Sequence, residues 1–273
     1  MHFKRTSIPG RPMGLMWITA DRVFYVGLLG APAVRTMGSV IVYVAVSGVI
    51  RIRLQDGEWQ TTEMAIVPPY VPHQVESQAR VINVLKIEAE TVDIEALPDV
   101  LKGRGAVDEP QFVQLVRQRQ RELSAQGCAV DLLKLDFDKT FFGAALAPRH
   151  IDRRIALVLD RIRRDPSAPA IAEECAAMAH LSFSRFLHLF KQEVGAPFRS
   201  FRTWKRARCL LHYVNREANL AHVALDTGYP DSTHFSHSIR QAYGLKPRDI
   251  FAGSRRLALF DDSPRAQWAA VGR

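Results

Sequence analysis

Polar and apolar residues alternate with a two-residue period in the first third of the chain. From about residue 23 to residue 88, segments rich in β-branched residues are separated by Gly, Pro and Asp-Gly breaks, as in VIVYVAVSGVIRIRL followed by QDGEW. Arg51 and Arg53 fall on one face of such a segment, and the isoleucines between them fall on the other. This pattern predicts a small β-barrel or sandwich.

The apolar period then lengthens to three and four residues. The segments PQFVQLVRQRQRELSAQG, from residue 110, and DLLKLDFDKTFFGAAL, from residue 131, predict helices. A third segment, HIDRRIALVLDRIRRDP, predicts a helix with an inward apolar stripe that a proline ends. Pro148 marks the expected joint between the two halves of the chain.

Two later segments repeat each other at a distance of 49 residues. The shift places Ser184 over Thr233 and His188 over His237. It also places Phe186 over Phe235, Phe190 over Ile239, Lys191 over Arg240, Gln192 over Gln241 and Gly195 over Gly244. Because apolar and polar positions are preserved together, the repeat indicates one structural unit present twice.

Each repeated segment predicts an outer helix with one apolar and one polar face. At 100° per residue, Phe183, Phe186 and Phe190 share the inward side of the first helix, whereas Ser184 and His188 face outward. A short helical segment precedes each outer helix, which predicts helix-turn-helix units over about 171–192 and 220–241. An alternative is a pair of amphipathic hairpins in an ordinary helical bundle.

Charge and cysteine content narrow the choice of partner. Residues 1–150 hold 17 Lys/Arg against 16 Asp/Glu, whereas residues 151–273 hold 20 against 12, which favours an anionic partner such as nucleic acid for the second half. Cys128, Cys175 and Cys209 form no CxxC pair, which argues against a disulfide framework or zinc module. The start lacks an apolar leader and the longest apolar run is too short to span a bilayer, so we expect a cytoplasmic protein without membrane contact.

Residues 150–251 resemble the AraC/XylS family of bacterial transcription regulators. The resemblance rests on LSFSRFLHLFKQEVGAPFRSF and LDTGYPDSTHFSHSIRQAYGLKPRDIF. It implies an α+β fold: an N-terminal cupin-like β-barrel with flanking helices, and an all-α C-terminal domain with two helix-turn-helix subdomains joined by a linker helix. The expected domains are 1–147 for sensing and dimerisation, 148–256 for DNA binding, and a tail over 257–273.

In that reading the linker helix is PFRSFRTWKRARCLLHYV. We expect its apolar residues to hold both units together and Trp204 to be a packing residue. Arg202, Lys205, Arg206 and Arg208 are expected on its solvent-facing sides.

The resemblance implies contacts to double-stranded promoter DNA. The residues expected at base edges are Ser184, Arg185, Leu187, His188, Thr233, His234, Ser236 and His237. Those expected at phosphates are Ser182, Lys191, Arg199, Ser232, Arg240 and Arg248. Arg185 fits either role, and Leu187 departs from the polar residue often found at its position, although a leucine can meet a thymine methyl group.

The front half contains MAIVPPYVPHQV, which resembles the cupin-like sensor domains of the same family and implies a small organic effector without a cofactor. A metal-dependent cupin enzyme is the alternative from another class. It needs several converging ligands, whereas His2 and His73 are the only histidines before His150, and a lone His73 is more typical of a structural residue. No GxSxG, Walker or GxGxxG sequence supplies a catalytic site, so we expect no enzyme. An architectural DNA-binding protein fits the charge but not two separate polar faces.

The helix predicted from residue 110 carries an apolar strip. Its members are Phe112, Val113, Leu115, Val116 and Leu123. The strip either packs on its own barrel or meets the same helix of a second chain in a homodimer, as the resemblance implies. RNA polymerase is a further expected partner if the protein activates transcription.

Overall fold

The computed structural model describes residues 14–126, 135–215 and 219–261. Within these ranges the chain forms ten β-strands and nine α-helices. The strands are β1 (Gly14–Ile18), β2 (Arg22–Leu28), β3 (Ser39–Ala45), β4 (Ile50–Leu54), β5 (Gln60–Thr62), β6 (Met64–Val67), β7 (His73–Ser77), β8 (Val81–Glu88), β9 (Gly105–Val107) and β10 (Leu257–Asp261). The helices are α1 (Pro110–Gln126), α2 (Phe137–Phe142), α3 (Arg153–Arg164), α4 (Ala172–Met178), α5 (Phe183–Val194), α6 (Phe198–Cys209), α7 (Leu220–Asp226), α8 (Ser232–Tyr243) and α9 (Pro247–Ser254).

The front of the chain forms two sheets. The large sheet has the strand order β10-β1-β2-β8-β3-β6-β9, and the small sheet has the order β5-β4-β7. The large sheet is apolar on both faces, because one faces the small sheet and the other is covered by helices. Because both faces of the sheet are covered, β3 is buried along its whole length and has no solvent-exposed face. Together with the helical C-terminal part, this confirms the α+β class.

Helices α1 and α2 cover the outer face of the large sheet. The apolar strip of α1 packs into this core: Phe112, Val113, Val116 and Leu123 are buried, and Leu115 is half-buried against it. The strip therefore packs on its own barrel, and a homodimer stays a prediction. Helix α2 is shorter than the pattern from residue 131 indicated, because it ends at a left-handed Gly143, and residues 131–134 lie outside the described ranges. Cys128 and His2 also lie outside them.

The C-terminal helices include two matching pairs. We call α4 with α5 the first pair, and α7 with α8 the second pair; α6 connects them. Both outer helices end at a glycine in the left-handed conformation, Gly195 at φ 79° and Gly244 at φ 72°. Glycine adopts this conformation without the steric cost that other residues incur, so the shared glycines of the repeat mark the ends of α5 and α8.

Helix α6 is covered by protein on most sides, which corrects one expectation. Trp204 packs as expected and is only 3% exposed. Lys205 and Arg208, expected at the solvent, are buried against the barrel, where both pair with the Glu88 carboxylate. The expectation was wrong because charged residues are rarely buried without a partner, and the partner lies far away along the chain.

The last described residues also differ from expectation. Residues 257–261, expected in a tail, form β10 and pair in parallel with β1, from Gly14 opposite Leu257 to Ile18 opposite Asp261. Leu257 is buried, and Asp261 Oδ2 lies 2.6 Å from Nδ1 of the buried His212. The chain therefore returns to β1 after the helical part, and the domain boundaries stay predictions.

Candidate nucleic-acid interface and barrel cavity

The first pair presents a polar face on α5 above an aromatic core. Phe186 and Phe190 are fully buried and meet Phe198 edge-on, with ring centroids 5.2 Å and 5.1 Å away. Ser184, Arg185, His188 and Lys191 are exposed on α5, as are Ser182 at its N-cap and Arg199 on α6. Leu187 is half-buried and packs against the core of this pair.

Phe183 differs from its sequence prediction. It is 45% exposed, although its angular position places it beside Phe186 and Phe190. Phe183 is the first residue of α5 and does not belong to the core of this pair. An exposed aromatic ring therefore stands at the start of the outer helix.

The second pair repeats this arrangement on α8. Phe235 and Ile239 are buried, whereas Thr233, His237 and Arg240 are exposed. Ser236 is half-buried, and His234, Ser232 and Arg248 are exposed.

Asp231 caps the N-terminus of α8 and holds His234 in place. Its Oδ1 accepts hydrogen bonds from the backbone N–H groups of Thr233 and His234, each at 2.8 Å. Nδ1 of His234 lies 2.8 Å from Oδ2 of the same carboxylate. The backbone and then the side-chain hydrogen bonds of His234 lower the pKa of Asp231. Both His234 and His237 of α8 are expected at bases, but only His234 is held by Asp231.

Of the fourteen residues expected at DNA, twelve lie on α5 or α8 or at the N-cap of α5, whereas Arg199 lies on α6 and Arg248 lies on α9. Twelve of the fourteen are exposed, and Leu187 and Ser236 are half-buried. On each outer helix, exposed residues spaced four apart share one face, namely Ser184 with His188 on α5 and Thr233 with His237 on α8. Their individual roles at bases or phosphates stay predictions.

A cavity of about 100 Å³ lies where the barrel meets the turn that follows α6, the end of α8, and α9. Its walls are mainly apolar and include Met16, Met37 and Val214. Two cations, Arg35 and Lys86, also line it. The cavity is therefore a mainly apolar space that is lined by two basic side chains.

The two cations are buried and poorly compensated. Arg35 is 4% exposed, and among the described residues its Nε and Nη2 have no hydrogen-bond partner. Nζ of Lys86 lies 4.9 Å from the ring centroid of Tyr243, the last residue of α8. Burial, then the nearby Arg35 and Arg208, lower the pKa of Lys86 to about 7. Sequence reasoning missed this site, although Lys86 within the apolar segment VINVLKIE was a signal.

A neighbouring cluster of opposite charges joins the barrel to α6. Lys205 pairs with both Glu88 and Glu90, and Arg208 Nε lies 3.1 Å from Glu88 Oε1. Trp204 Nε1 donates to Glu88 Oε2 at 3.0 Å. Burial favours the neutral form of Glu88, but Lys205 and Arg208 outweigh it and lower the pKa of Glu88 below its ordinary value.

His73 has the surroundings of a structural residue. Its Nε2 lies 2.9 Å from Tyr43 Oη, and its Nδ1 lies 2.9 Å from the carbonyl oxygen of Val71. Burial lowers the pKa of His73 to about 4. Over 14–126, 135–215 and 219–261, no group of three or more His, Cys, Asp or Glu side chains is arranged to hold a metal ion. The helices in these same ranges include none with the length and apolar character to cross a membrane.

The helical part of the chain is similar to known proteins. Residues 175–253 match a family described as a helix-turn-helix domain, from within α4 to within α9. The invasion protein InvF of Salmonella typhi and of Salmonella typhimurium is 31% identical over 71 residues, which are 26% of this chain. The match covers 33% of the length of these curated relatives, so the chain spans about a third of them.

Two structures of ToxT from Vibrio cholerae share the fold over most of the chain. One has a TM-score of 0.53 at 9% identity and covers 85% of this chain and 98% of ToxT. The other, of wild-type ToxT bound to an unsaturated fatty acid, has a TM-score of 0.52 at 11% identity and covers 85% and 95%. They show the same order of a β-rich, cupin-like front and a helical C-terminal part. The match over residues 175–253 to a helix-turn-helix domain agrees with the resemblance to AraC/XylS regulators that the two sequence segments carry.

Proposed function

We propose that this protein is a sequence-specific DNA-binding transcription regulator that contacts two successive major grooves through its two helix pairs. The observation that carries the proposal is the recurrence of one exposed polar face on α5 and on α8, each above a buried aromatic core. A helix with this exposure fits a major groove about 12 Å wide, and successive grooves on one side of B-DNA lie about 34 Å apart. Two faces that differ in sequence would read two different short sites.

Footprinting on the promoter fragment upstream of its own gene tests this proposal. We expect two protected patches in phase with the helical turn, and a preference over random duplex of at least ~10³-fold. Thr233→Ala with His237→Ala should remove only the second patch. A single patch that these changes leave intact would contradict the two-unit reading, and equal affinity for random duplex would favour an architectural protein.

We further propose that an effector with one acidic group and an apolar body occupies the barrel cavity. Two buried cations face this cavity, and a buried charge is costly unless it is paired. An anion placed between Arg35 and Lys86 would offset that cost, whereas a neutral ligand would leave it. The fold neighbour ToxT, which binds an unsaturated fatty acid in one structure, supports this class of ligand.

Titration calorimetry of the full chain with octanoate tests the effector proposal. A water-sized group needs about 10–15 Å³ of such a cavity, so its volume suits a ligand of roughly ten heavy atoms. Octanoate should bind, and 1-octanol should bind at least tenfold more weakly. Arg35→Gln should weaken octanoate by about tenfold to a hundredfold, because a hydrogen bond to a charged group contributes roughly 1.5–3 kcal/mol. Arg51→Gln, at an exposed barrel arginine, is the matched control. Equal affinity for the acid and the alcohol would contradict the proposal.

Homodimer formation and contact with RNA polymerase remain predictions of the family resemblance. A dimer would use a surface other than the α1 strip, which packs on its own barrel. Sedimentation of the intact protein at micromolar concentration decides between monomer and dimer.

A further inference from the structure

The two helix pairs are attached to the barrel in different ways. The first pair shares a core with α3, in which Ile155, Phe186 and Phe190 are fully buried. Across the described ranges, no barrel side chain belongs to this core. The first pair is therefore packed as a unit of its own.

The second pair has no such separate core. Phe235, Ile239 and Tyr243 of α8 belong to the same cluster as Met16 and Tyr43 of the barrel. The inner face of the large sheet and the second pair thus bury each other. A shift of α8 relative to the barrel would open this shared core, whereas a shift of α5 would not.

The linker helix α6 is divided between the two cores. Phe201 belongs to the first core, and Trp204, one turn later, belongs to the core shared with the barrel. Beyond that point Arg208 donates from Nη2 to the carbonyl oxygen of Thr19 at 2.9 Å and pairs with Glu88. Because of this division, the second pair packs against the barrel and the first pair does not.

A barrel loop connects the cavity directly to the end of α8. Arg35 lines the cavity, and the next residue, Thr36, donates its backbone N–H to the carbonyl oxygen of Gln241 at 2.9 Å. Ala33 of the same loop packs against Gly244, where an added Cβ would lie 3.1 Å from the Ala33 carbonyl oxygen. Neighbouring loop residues therefore face the proposed ligand and the outer helix.

We propose that the effector controls the second helix pair alone and leaves the DNA contacts of the first pair unchanged. The inference rests on the proposed effector cavity. An anion between Arg35 and Lys86 relieves the repulsion of two buried cations, and it thereby holds the loop and Tyr243 of α8 against the barrel. A ligand that binds only the attached form stabilises that form by mass action. The DNA contacts of the second pair are then energetically coupled to the effector, and those of the first pair are not.

Hydrogen exchange of the full chain tests the asymmetry without any ligand. Leu257→Asp places a charge at a buried residue of β10 and should loosen the segment that ties α9 to β1. Exchange over 220–254 should accelerate about tenfold or more, and exchange over 153–194 should stay within about twofold. Gly253→Asp is the matched control, since a side chain there meets no atom within 4 Å. Leu257→Ala, a milder change, should give a smaller rise in the same segment if the aspartate variant fails to fold. Equal acceleration of both pairs, or of neither, would overturn the inference.

Octanoate supplies the second arm of the test. At about a hundred times its Kd, exchange over 220–254 in the wild type should slow tenfold or more, with 153–194 unchanged. Equal slowing of both pairs, or bound octanoate without slowing of the second, overturns the inference. Absence of octanoate binding by calorimetry refutes the effector proposal and with it the effector's part here, while the Leu257 variants still decide whether the second pair alone follows the barrel.

Discussion

Glu88→Gln is the sharpest test of how the barrel holds the helical part. Glu88 is 1% exposed. Its carboxylate accepts a hydrogen bond from Trp204 and forms ion pairs with Lys205 and Arg208, all on α6. Glutamine keeps the shape of the side chain and removes its charge. Lys205 then keeps Glu90 as an acidic partner, whereas Arg208 loses the carboxylate with which it pairs.

The magnitude follows from the burial of these charges. Breaking a buried ion pair by removing one partner costs about 3–5 kcal/mol, whereas an exposed substitution changes stability by less than about 0.5 kcal/mol. We therefore expect Glu88→Gln to lower the free energy of unfolding by about 3–5 kcal/mol. Glu58→Gln, at an exposed glutamate of the same barrel, is the control.

Urea denaturation followed by tryptophan fluorescence measures the change, and its pH dependence checks the cause. Because the pKa of Glu88 lies below its ordinary value in the folded protein, its charge stabilises the fold above the ordinary glutamate pKa. That stabilisation is lost as the pH falls through the lowered pKa, so wild type and variant should converge in acid. A loss no larger than that of the Glu58 variant, or a gap that is constant down to acid pH, would refute the reasoning.

Three further predictions concern DNA reading and the buried titrating groups. His188→Ala should reduce the preference for the correct bases, whereas Arg240→Ala should weaken binding to all duplexes alike and lower the salt slope by about one unit. Binding titrations at several salt concentrations distinguish the two effects. An equal loss of affinity on every sequence in both variants would contradict the assignment of His188 to base contact. Lys86 binds its proton less readily in the folded protein than in the unfolded chain, so it makes the free energy of unfolding rise with pH from about 7 towards its ordinary pKa near 10.5. Lys86→Met should flatten this rise in urea denaturation. The pKa of His73 is about 4 in the folded protein, so the free energy of unfolding should decrease as the pH falls from 6.5 towards 4, and His73→Gln should remove this decrease. An unchanged pH dependence in the Lys86 or the His73 variant would count against the burial of that group.

Local periodicity was enough to predict much of the fold. The two-residue alternation predicted the barrel strands, and the repeat at 49 residues predicted two matching helix pairs with Phe186 and Phe235 inside. The exposed positions of His188 and His237 follow from the same helical geometry. These features depend on neighbours in sequence, which is why the sequence alone carries them.

What escaped prediction depends on partners far apart in the chain. Lys205 and Arg208 read as solvent-facing because the carboxylate that neutralises them, Glu88, belongs to a distant strand. The segment LALFD is too short to identify as a strand until β1 lies beside it. The sequence likewise does not predict the cavity, since Arg35 and Lys86 meet only when the barrel has closed, although Lys86 stands out within an apolar segment.

The pairing of β1 with β10 sets the order in which the protein can be completed during synthesis. β1 leaves the ribosome long before β10, and at about 5–20 residues per second it waits roughly ten to fifty seconds for this partner. During that time the β1 edge and the apolar mouth of the barrel lack the cover that α6, α8 and β10 later provide. A nascent chain that has not yet reached β10 therefore exposes an unpaired strand edge and apolar barrel surface, and synthesis of residues 257–261 provides the strand that covers the β1 edge.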